Sequence, residues 1–149
     1  MEKIFEIYIK STPEKLWAAL TDPEQTAIYY FGNSFITDWV PGSSYTTSNP
    51  NADGPLGAGT VLEVEEPYKL VVSMTALWDE AVLAEGESRV TFEIEQIEDS
   101  CLLKLTHDRL KAGANKQVHG GWPMILSGLK TWLETGERLT TPGSLMYTG

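Results

Sequence analysis

The chain has 149 residues, a formal net charge of −10 and a single cysteine, Cys101. A chain near this length suits one domain, which can bury roughly 68–70% of the surface that its unfolded form exposes. The acidic excess argues against binding to nucleic acid or to an anionic membrane surface, and one cysteine excludes an internal disulfide, so we expect a reducing, cytoplasmic compartment.

The first part of the chain predicts a strand and two short helices. Residues 4–10 are rich in Ile, Phe and Tyr, which favour a strand. Thr12 followed by Pro13 is typical of a helix start, because the Thr side chain caps the helix and Pro suits its first turn. Asp22 repeats this signal, and Gln25 lies where a capping box places its second residue. No long apolar run occurs, so we expect neither a signal peptide nor a membrane span.

The middle of the chain predicts about six short strands. Alternation is clearest in residues 88–97, where Val90, Phe92 and Ile94 share one face. Such one-sided alternation indicates an antiparallel sheet with one face in water. The prolines and glycines of residues 49–59 predict a loop. The other predicted strands are residues 35–39, 44–47, 60–65, 69–78 and 101–107.

The last helix has the strongest periodicity in the chain. Its apolar residues fall at steps of three and four: Trp122, Ile125, Leu126, Leu129, Trp132 and Leu133. They form one stripe, which we expect to be buried against the apolar face of residues 88–97. Pro123 marks either the first turn or a kink. A polar linker is predicted at residues 108–117, and residues 140–149 are expected to be a loosely held tail after a single domain of residues 1–139.

Four stretches carry a resemblance to a known superfamily: STPEKLWAALTDP (11–23), SRVTF (88–92), LKLTH (103–107) and GW (121–122). The chain resembles the START-like (SRPBCC, helix-grip) superfamily, and within it the homologues of the heat-shock chaperone ATPase activator. The resemblance implies an α+β helix-grip fold, in which a curved antiparallel sheet of about six or seven strands and two short helices wrap around a long C-terminal helix. Two departures are Tyr29-Tyr30-Phe31, where such proteins often carry Trp-Phe, and Pro123 in a helix that is often Ala-rich.

Large aromatic side chains supply the candidate site. Members of the superfamily commonly keep a cavity between sheet and helix, and a wall of aromatic residues there would bind an apolar or aromatic ligand. We predict the ligand-binding residues to be Trp39, Tyr45, Met74, Trp78, His107, Trp122 and Leu126. The alternative is that these side chains form a packed core, with His107 hydrogen-bonded to a neighbouring element. His119 is expected in solvent.

Other kinds of site lack a matching pattern. Two histidines and one cysteine without close spacing predict no metal site. The stretch Gly57-Ala58-Gly59 precedes a strand and lacks the Gly-Lys-Ser/Thr of a phosphate loop. No Gly-x-Ser-x-Gly nucleophile motif is present. Cys101 is expected to pack inertly on an apolar face. We therefore expect no cofactor.

Three classes of function remain open. The favoured hypothesis is non-catalytic binding or carriage of a small apolar or aromatic molecule. The resemblance implies a second, a regulator that binds a chaperone protein through its surface. The third is a cyclase-type enzyme in which Tyr45 or His107 assists, which we disfavour because an enzyme needs convergent ionisable groups. No nucleic-acid or membrane partner is expected, and both a monomer and a homodimer remain possible.

Overall fold

The computed structural model describes residues 1–146. The strands are β1 (Lys3–Ile9), β2 (Ser34–Ile36), β3 (Ser44–Ser48), β4 (Gly57–Glu65), β5 (Lys69–Ala76), β6 (Glu87–Ile97) and β7 (Ser100–Asp108). The helices are α1 (Pro13–Thr21), α2 (Pro23–Tyr29), α3 (Glu80–Leu83), α4 (Lys116–His119) and α5 (Trp122–Thr135). None of these helices is long and apolar enough to cross a membrane.

All seven strands form one antiparallel sheet in the order β1-β7-β6-β5-β4-β3-β2. Strands β2 to β7 each pair with their neighbours in sequence, and β1 joins the sheet beside β7. A register shift between Val61 and Glu63 interrupts the pairing of β4 with β5, and such bulges bend a strand. The long helix α5 lies on the inner face. The predicted α+β helix-grip fold is confirmed.

The two N-terminal helices begin where the sequence predicts. Thr12 Oγ1 accepts a hydrogen bond from the Lys15 amide at 3.2 Å, and Asp22 Oδ1 accepts one from the Glu24 amide at 3.0 Å. Gln25 departs from the capping-box pattern, because its side-chain amide donates to Asp22 Oδ2 at 3.2 Å. These caps satisfy amides that the first turns would otherwise leave unpaired.

Helix α5 differs in part from its predicted burial. Pro123 lies in the first turn, so the helix has no proline kink. Trp122, Ile125, Leu126 and Leu129 are buried, whereas Trp132 and Leu133 are only partly buried. The last turns of α5 lie beside α2 and the end of β1, where Trp132 Nε1 donates to Gln25 Oε1 at 2.9 Å and Glu134 accepts from the Lys10 amide. Trp132 and Leu133 thus pack against the edge of the core and keep part of their surface exposed.

The region after β5 differs most from the sequence prediction. Helix α3 lies beyond the predicted strand 69–78, where no element was expected, and α4 begins at the end of the predicted polar linker. Val82 of α3 and Val118 of α4 form a small second core with Ala76 of β5 and two residues of the segment between β7 and α4, Leu110 and Ala114. His119, expected in solvent, is buried at 9% exposure because it belongs to α4 beside this second core. Strand β4 begins at Gly57, inside the predicted loop.

Residues 137–146 continue beyond α5 without a further helix or strand, and residues 142–146 form turns. Ser144 is 9% exposed, and its hydroxyl accepts a hydrogen bond from the Thr141 amide at 2.9 Å. Residues 147–149, the end of the predicted loose tail, lie outside the described residues. The division into a domain of residues 1–139 and a tail stays a prediction.

Candidate ligand-binding site

Two spaces lie between the concave face of the sheet and α5. The inner cavity has a volume of about 40 Å³, and the cleft at the N-terminal end of α5 has a volume of about 540 Å³. Six residues line both spaces: Tyr30, Phe35, Tyr45, Met74, Trp122 and Ile125. The inner cavity has room for only a few water molecules. The cleft falls within the range of roughly 300–1,000 Å³ that is usual for small-molecule sites.

The linings of the two spaces differ in polarity. The residues found only around the inner cavity are Leu20, Thr26, Tyr29, Trp39, Leu70, Val72, Val90, Phe92, Leu126 and Leu129. All of them except Thr26 are apolar or aromatic. The residues found only around the cleft are Phe31, Asn33, Thr47, Leu56, Gly57, Ala76, Trp78, Asp79, Gln117, Val118, Gly120, Gly121 and Met146. Four of them have polar side chains, namely Asn33, Thr47, Asp79 and Gln117. Among residues 1–146, Asp79 is the one acidic or basic side chain that lines either space. The cleft therefore combines a large apolar wall with a few polar groups.

Tyr45 is positioned by a close approach between strands. Its register partner in β4 is Gly59, where an added Cβ would lie 2.0 Å from the carbonyl oxygen of Ser73 and 2.7 Å from Tyr45 Cε1. Since no side chain fits there, the Tyr45 ring lies across β4. Its hydroxyl then donates to the Ser73 carbonyl at 2.7 Å. Burial raises the pKa of this hydroxyl, so Tyr45 is neutral at physiological pH.

His107 lies behind the wall of the two spaces and lines neither. Its Nδ1 accepts from Trp122 Nε1 at 3.0 Å, and its Nε2 lies 2.7 Å from Ser88 Oγ. Because an indole nitrogen only donates, the neutral imidazole carries its proton on Nε2 and donates to Ser88. Burial, with a smaller effect of His119, lowers the pKa of His107 to about 4 despite the opposing charge of Asp108. His107 therefore orients Trp122 and is screened from the cleft by it.

The structure brings most of the predicted site residues together. Tyr45, Met74 and Trp122 line both spaces. Trp39 and Leu126 line the inner cavity only, and the Trp39 indole donates to the Thr21 carbonyl at 2.8 Å. Trp78 lies at the mouth of the cleft and is 36% exposed, and its indole donates to Gln117 Oε1 at 3.1 Å. His107 is the predicted residue that the structure separates from both spaces.

Sequence reasoning missed the aromatic segment that follows α2. The Tyr30 ring packs edge-on against Phe35, with ring centres 4.8 Å apart, and against Trp122 at 5.8 Å. Phe31 adopts a positive φ of 55°, which is uncommon for an aromatic residue and turns the chain into the rim of the cleft. The three consecutive aromatic residues Tyr29, Tyr30 and Phe31 were the available signal, because an amphipathic helix seldom needs three in a row.

Comparison with known proteins identifies the family of this chain. The sequence profile described as "Activator of Hsp90 ATPase homolog 1-like protein" matches residues 10–134. The chain belongs to this family. The resemblance inferred from residues 11–23, 88–92, 103–107 and 121–122 is thereby confirmed. No curated protein matches the chain.

Solved structures similar to this chain share its fold. Protein MLL2253 from Mesorhizobium loti is 26% identical, with a TM-score of 0.73 over 90% of this chain and 97% of the other. PFC0360w, an HSP90 activator from Plasmodium falciparum, is 23% identical, with a TM-score of 0.71 over 89% and 96%. CalU16 from Micromonospora echinospora is 20% identical, with a TM-score of 0.72 over 91% and 77%. At these identities the latter two similarities extend to the fold alone.

Proposed function

We propose that this protein binds a small, predominantly apolar molecule in the cleft and carries it without changing it chemically. The observation that carries the proposal is the cleft of about 540 Å³, whose walls are mostly apolar and include six aromatic side chains. Apolar contacts would supply most of the affinity, and the polar groups would set the ligand's orientation. A cytoplasmic carrier of such a molecule is the function that this site supports best.

The state of the ionisable groups favours binding over catalysis. The Tyr45 hydroxyl is engaged with the Ser73 carbonyl, and both ring nitrogens of His107 are engaged behind Trp122. Asp79 Oδ1 accepts a hydrogen bond from the Val82 amide at 2.9 Å and thereby caps α3. General acid–base catalysis needs a group within hydrogen-bond reach of the reacting atom, and these groups are committed elsewhere. The two residues of the cyclase hypothesis are thus poorly placed for that role.

A titration with the neutral fluorescent probe N-phenyl-1-naphthylamine tests the proposal. We expect saturable binding with enhanced probe emission. Met74→Trp fills the cleft and should weaken binding about tenfold or more, which corresponds to roughly 1.4 kcal/mol, while the protein stays folded. Leu62→Trp, on a strand residue that is 42% exposed and lines neither space, is the matched control and should bind as the native protein does. Unchanged probe affinity in Met74→Trp would contradict the proposal.

Leu126→Trp tests whether the inner cavity differs from the cleft in how tightly it is packed. Leu126 is 5% exposed and borders a volume of only about 40 Å³. A larger side chain there overpacks the core and should lower the free energy of unfolding by about 1–3 kcal/mol. Destabilisation by both tryptophan substitutions would instead indicate that the whole interior is packed core.

A second candidate function is regulation of a chaperone through protein binding. It is favoured by membership of the activator family and by the similarity to the Plasmodium falciparum HSP90 activator. The test is the ATPase rate of Hsp90 measured with and without this protein. Stimulation that persists in Met74→Trp would assign the activity to the surface, because Met74 lines the two spaces between the sheet and α5.

A further inference from the structure

The Tyr30 hydroxyl is a polar group for which residues 1–146 supply no hydrogen-bond partner. Its two nearest counterparts are satisfied, since Tyr29 donates to the Ala19 carbonyl at 2.8 Å and Tyr45 donates to the Ser73 carbonyl. Within the same residues, Thr37 Oγ1 is the one completely buried side-chain oxygen or nitrogen without a partner. The Tyr30 hydroxyl therefore retains accessible surface, and Tyr30 lines both the inner cavity and the cleft.

The Tyr30 ring is held in place by its neighbours. Its interplanar angle is 70° with Phe35 and 86° with Trp122, and both are favourable edge-to-face arrangements. Trp122 is itself oriented by its hydrogen bond to His107. The hydroxyl is thus presented by a fixed aromatic ring, so little conformational entropy is lost when a ligand accepts a hydrogen bond from it. Burial raises the pKa of Tyr30, which keeps it protonated and able to donate.

The charge of the lining restricts what can bind beside Tyr30. No Lys, Arg or His lines either space within residues 1–146, and the one charged side chain is the carboxylate of Asp79. A buried anion without a cationic partner is strongly disfavoured. The cleft therefore discriminates against molecules such as fatty acids, whose carboxylate would lose its hydration without compensation.

We infer that the ligand is an uncharged aromatic molecule bearing a hydrogen-bond acceptor, such as a carbonyl oxygen, which accepts the hydrogen bond of the Tyr30 hydroxyl. This inference rests on the proposed function and adds the ligand's chemical class and its anchoring residue. Tyr30 acts through direct contact with the ligand, and the surrounding aromatic rings contact the ligand's apolar body.

Three naphthalenes of similar size test the inference: 2-acetylnaphthalene, 2-ethylnaphthalene and 2-naphthoate. Isothermal titration should show that Tyr30→Phe weakens binding of the ketone roughly 3- to 10-fold, the effect of one net hydrogen bond. Binding of the ethyl compound should change less than twofold, because it has no acceptor. Naphthoate should bind the native protein at least about tenfold more weakly than the ketone.

Tyr45→Phe is the matched control. It removes a hydroxyl that already donates to Ser73, so any effect should fall equally on the ketone and the ethyl compound. Equal losses of the two ligands in Tyr30→Phe, or naphthoate binding as tight as the ketone, would overturn the inference. Failure of every naphthalene and of N-phenyl-1-naphthylamine to bind the native protein would overturn the proposed cleft function itself, together with this inference.

A spectroscopic measurement on the native protein keeps the test independent of the variant's folding. The carbonyl stretch of ¹³C-labelled 2-acetylnaphthalene should move to lower frequency on binding, relative to its value in an alkane solvent. Tyr30→Phe should abolish that shift while leaving the melting temperature unchanged, since the hydroxyl it removes has no hydrogen-bond partner among residues 1–146. A bound carbonyl that absorbs at the alkane value would contradict the hydrogen bond.

Discussion

The two halves of α5 contain the same kind of apolar residue but face different surroundings. In the C-terminal half, Leu129 is 1% exposed, and a Cβ added at Gly128 would lie 3.2 Å from Tyr29 Cβ, so α2 and α5 are in tight contact. In the N-terminal half, Trp122 and Ile125 form a wall of the cleft. One half of the helix closes a core, and the other half borders an open space.

This difference shows that helical periodicity reports which side of a helix is apolar and gives no information about what lies opposite. The closed half contributes mainly to stability, because Leu129 is buried in the core and Gly128 lies in close contact with α2. The open half leaves apolar surface available to a ligand. Substitutions in the two halves, and in the walls that they face, should therefore differ in their effects at pH 7.

Leu129→Ala should cause the largest loss of stability. Removing a completely buried leucine side chain lowers the free energy of unfolding by about 2–5 kcal/mol, since the surroundings cannot collapse to fill the cavity. Met74→Ala, at a partly buried residue that borders the cleft, should cost roughly half as much, because its side chain has fewer packed neighbours. Denaturant unfolding measures both values. Equal losses would mean that the cleft wall is as tightly packed as the closed half.

Gly59→Ala should cost about 3 kcal/mol, at the upper end of the usual penalty for overpacking. The added Cβ would meet the Ser73 carbonyl at 2.0 Å, and backbone cannot move aside as readily as a side chain. The displaced Tyr45 ring should also reduce probe binding in the cleft. Gly54→Ala is the control, since nothing lies within 4 Å of its Cβ, and its effect should stay within about 0.5 kcal/mol.

Trp132→Ala should lower the free energy of unfolding by about 2 kcal/mol, below the 3–5 kcal/mol typical of a completely buried tryptophan. The smaller value follows from its partial burial against α2, where its indole donates to Gln25. Probe binding should be unaffected, because Trp132 lines neither space. A loss near 5 kcal/mol would mean that Trp132 is packed as closely as a completely buried tryptophan.

The fold could be predicted from the sequence because its signals are local. Thr12 and Asp22 cap the helices they were expected to cap, and the alternation of Val90, Phe92 and Ile94 marks a strand whose inner face packs on α5. Such patterns depend on neighbours a few residues away. The resemblance to the activator family added the order in which the elements assemble.

The site could be predicted only in part, because it depends on contacts that are distant in sequence. His107 lies on the correct face of β7, yet the Trp122 side chain intervenes between it and the cleft. Tyr30 reaches the cleft because the chain turns at Phe31, and no periodicity marks that turn. The sequence likewise contains no measure of the distance between facing elements, which decides that the inner cavity is small and the cleft large.

The smallest effect at neutral pH comes from His107, which is mostly neutral in both the folded and the unfolded protein at pH 7. Burial lowers its pKa in the folded state to about 4, below the ordinary value of 6.5. Between these two values the unfolded chain takes up a proton that the folded protein does not, so stability falls as the pH drops from about 6.5 to about 4. The closest charged groups act in opposite directions, since Asp108 raises this pKa and His119 lowers it.

His107→Gln should remove this contribution to the pH dependence. Unfolding free energies of the native protein and the variant, measured from pH 7.5 to pH 4, should differ by an amount that changes mainly below pH 6.5. Parallel curves over that interval would show that His107 does not titrate as its burial implies.

Acid should also weaken the hydrogen bond that orients the Trp122 wall of the cleft. A protonated Nδ1 is a hydrogen-bond donor, as the Trp122 indole nitrogen is, so the two can no longer pair. Probe affinity should therefore fall together with stability in the native protein, and a cleft that keeps its affinity at pH 4 would show that packing alone holds Trp122.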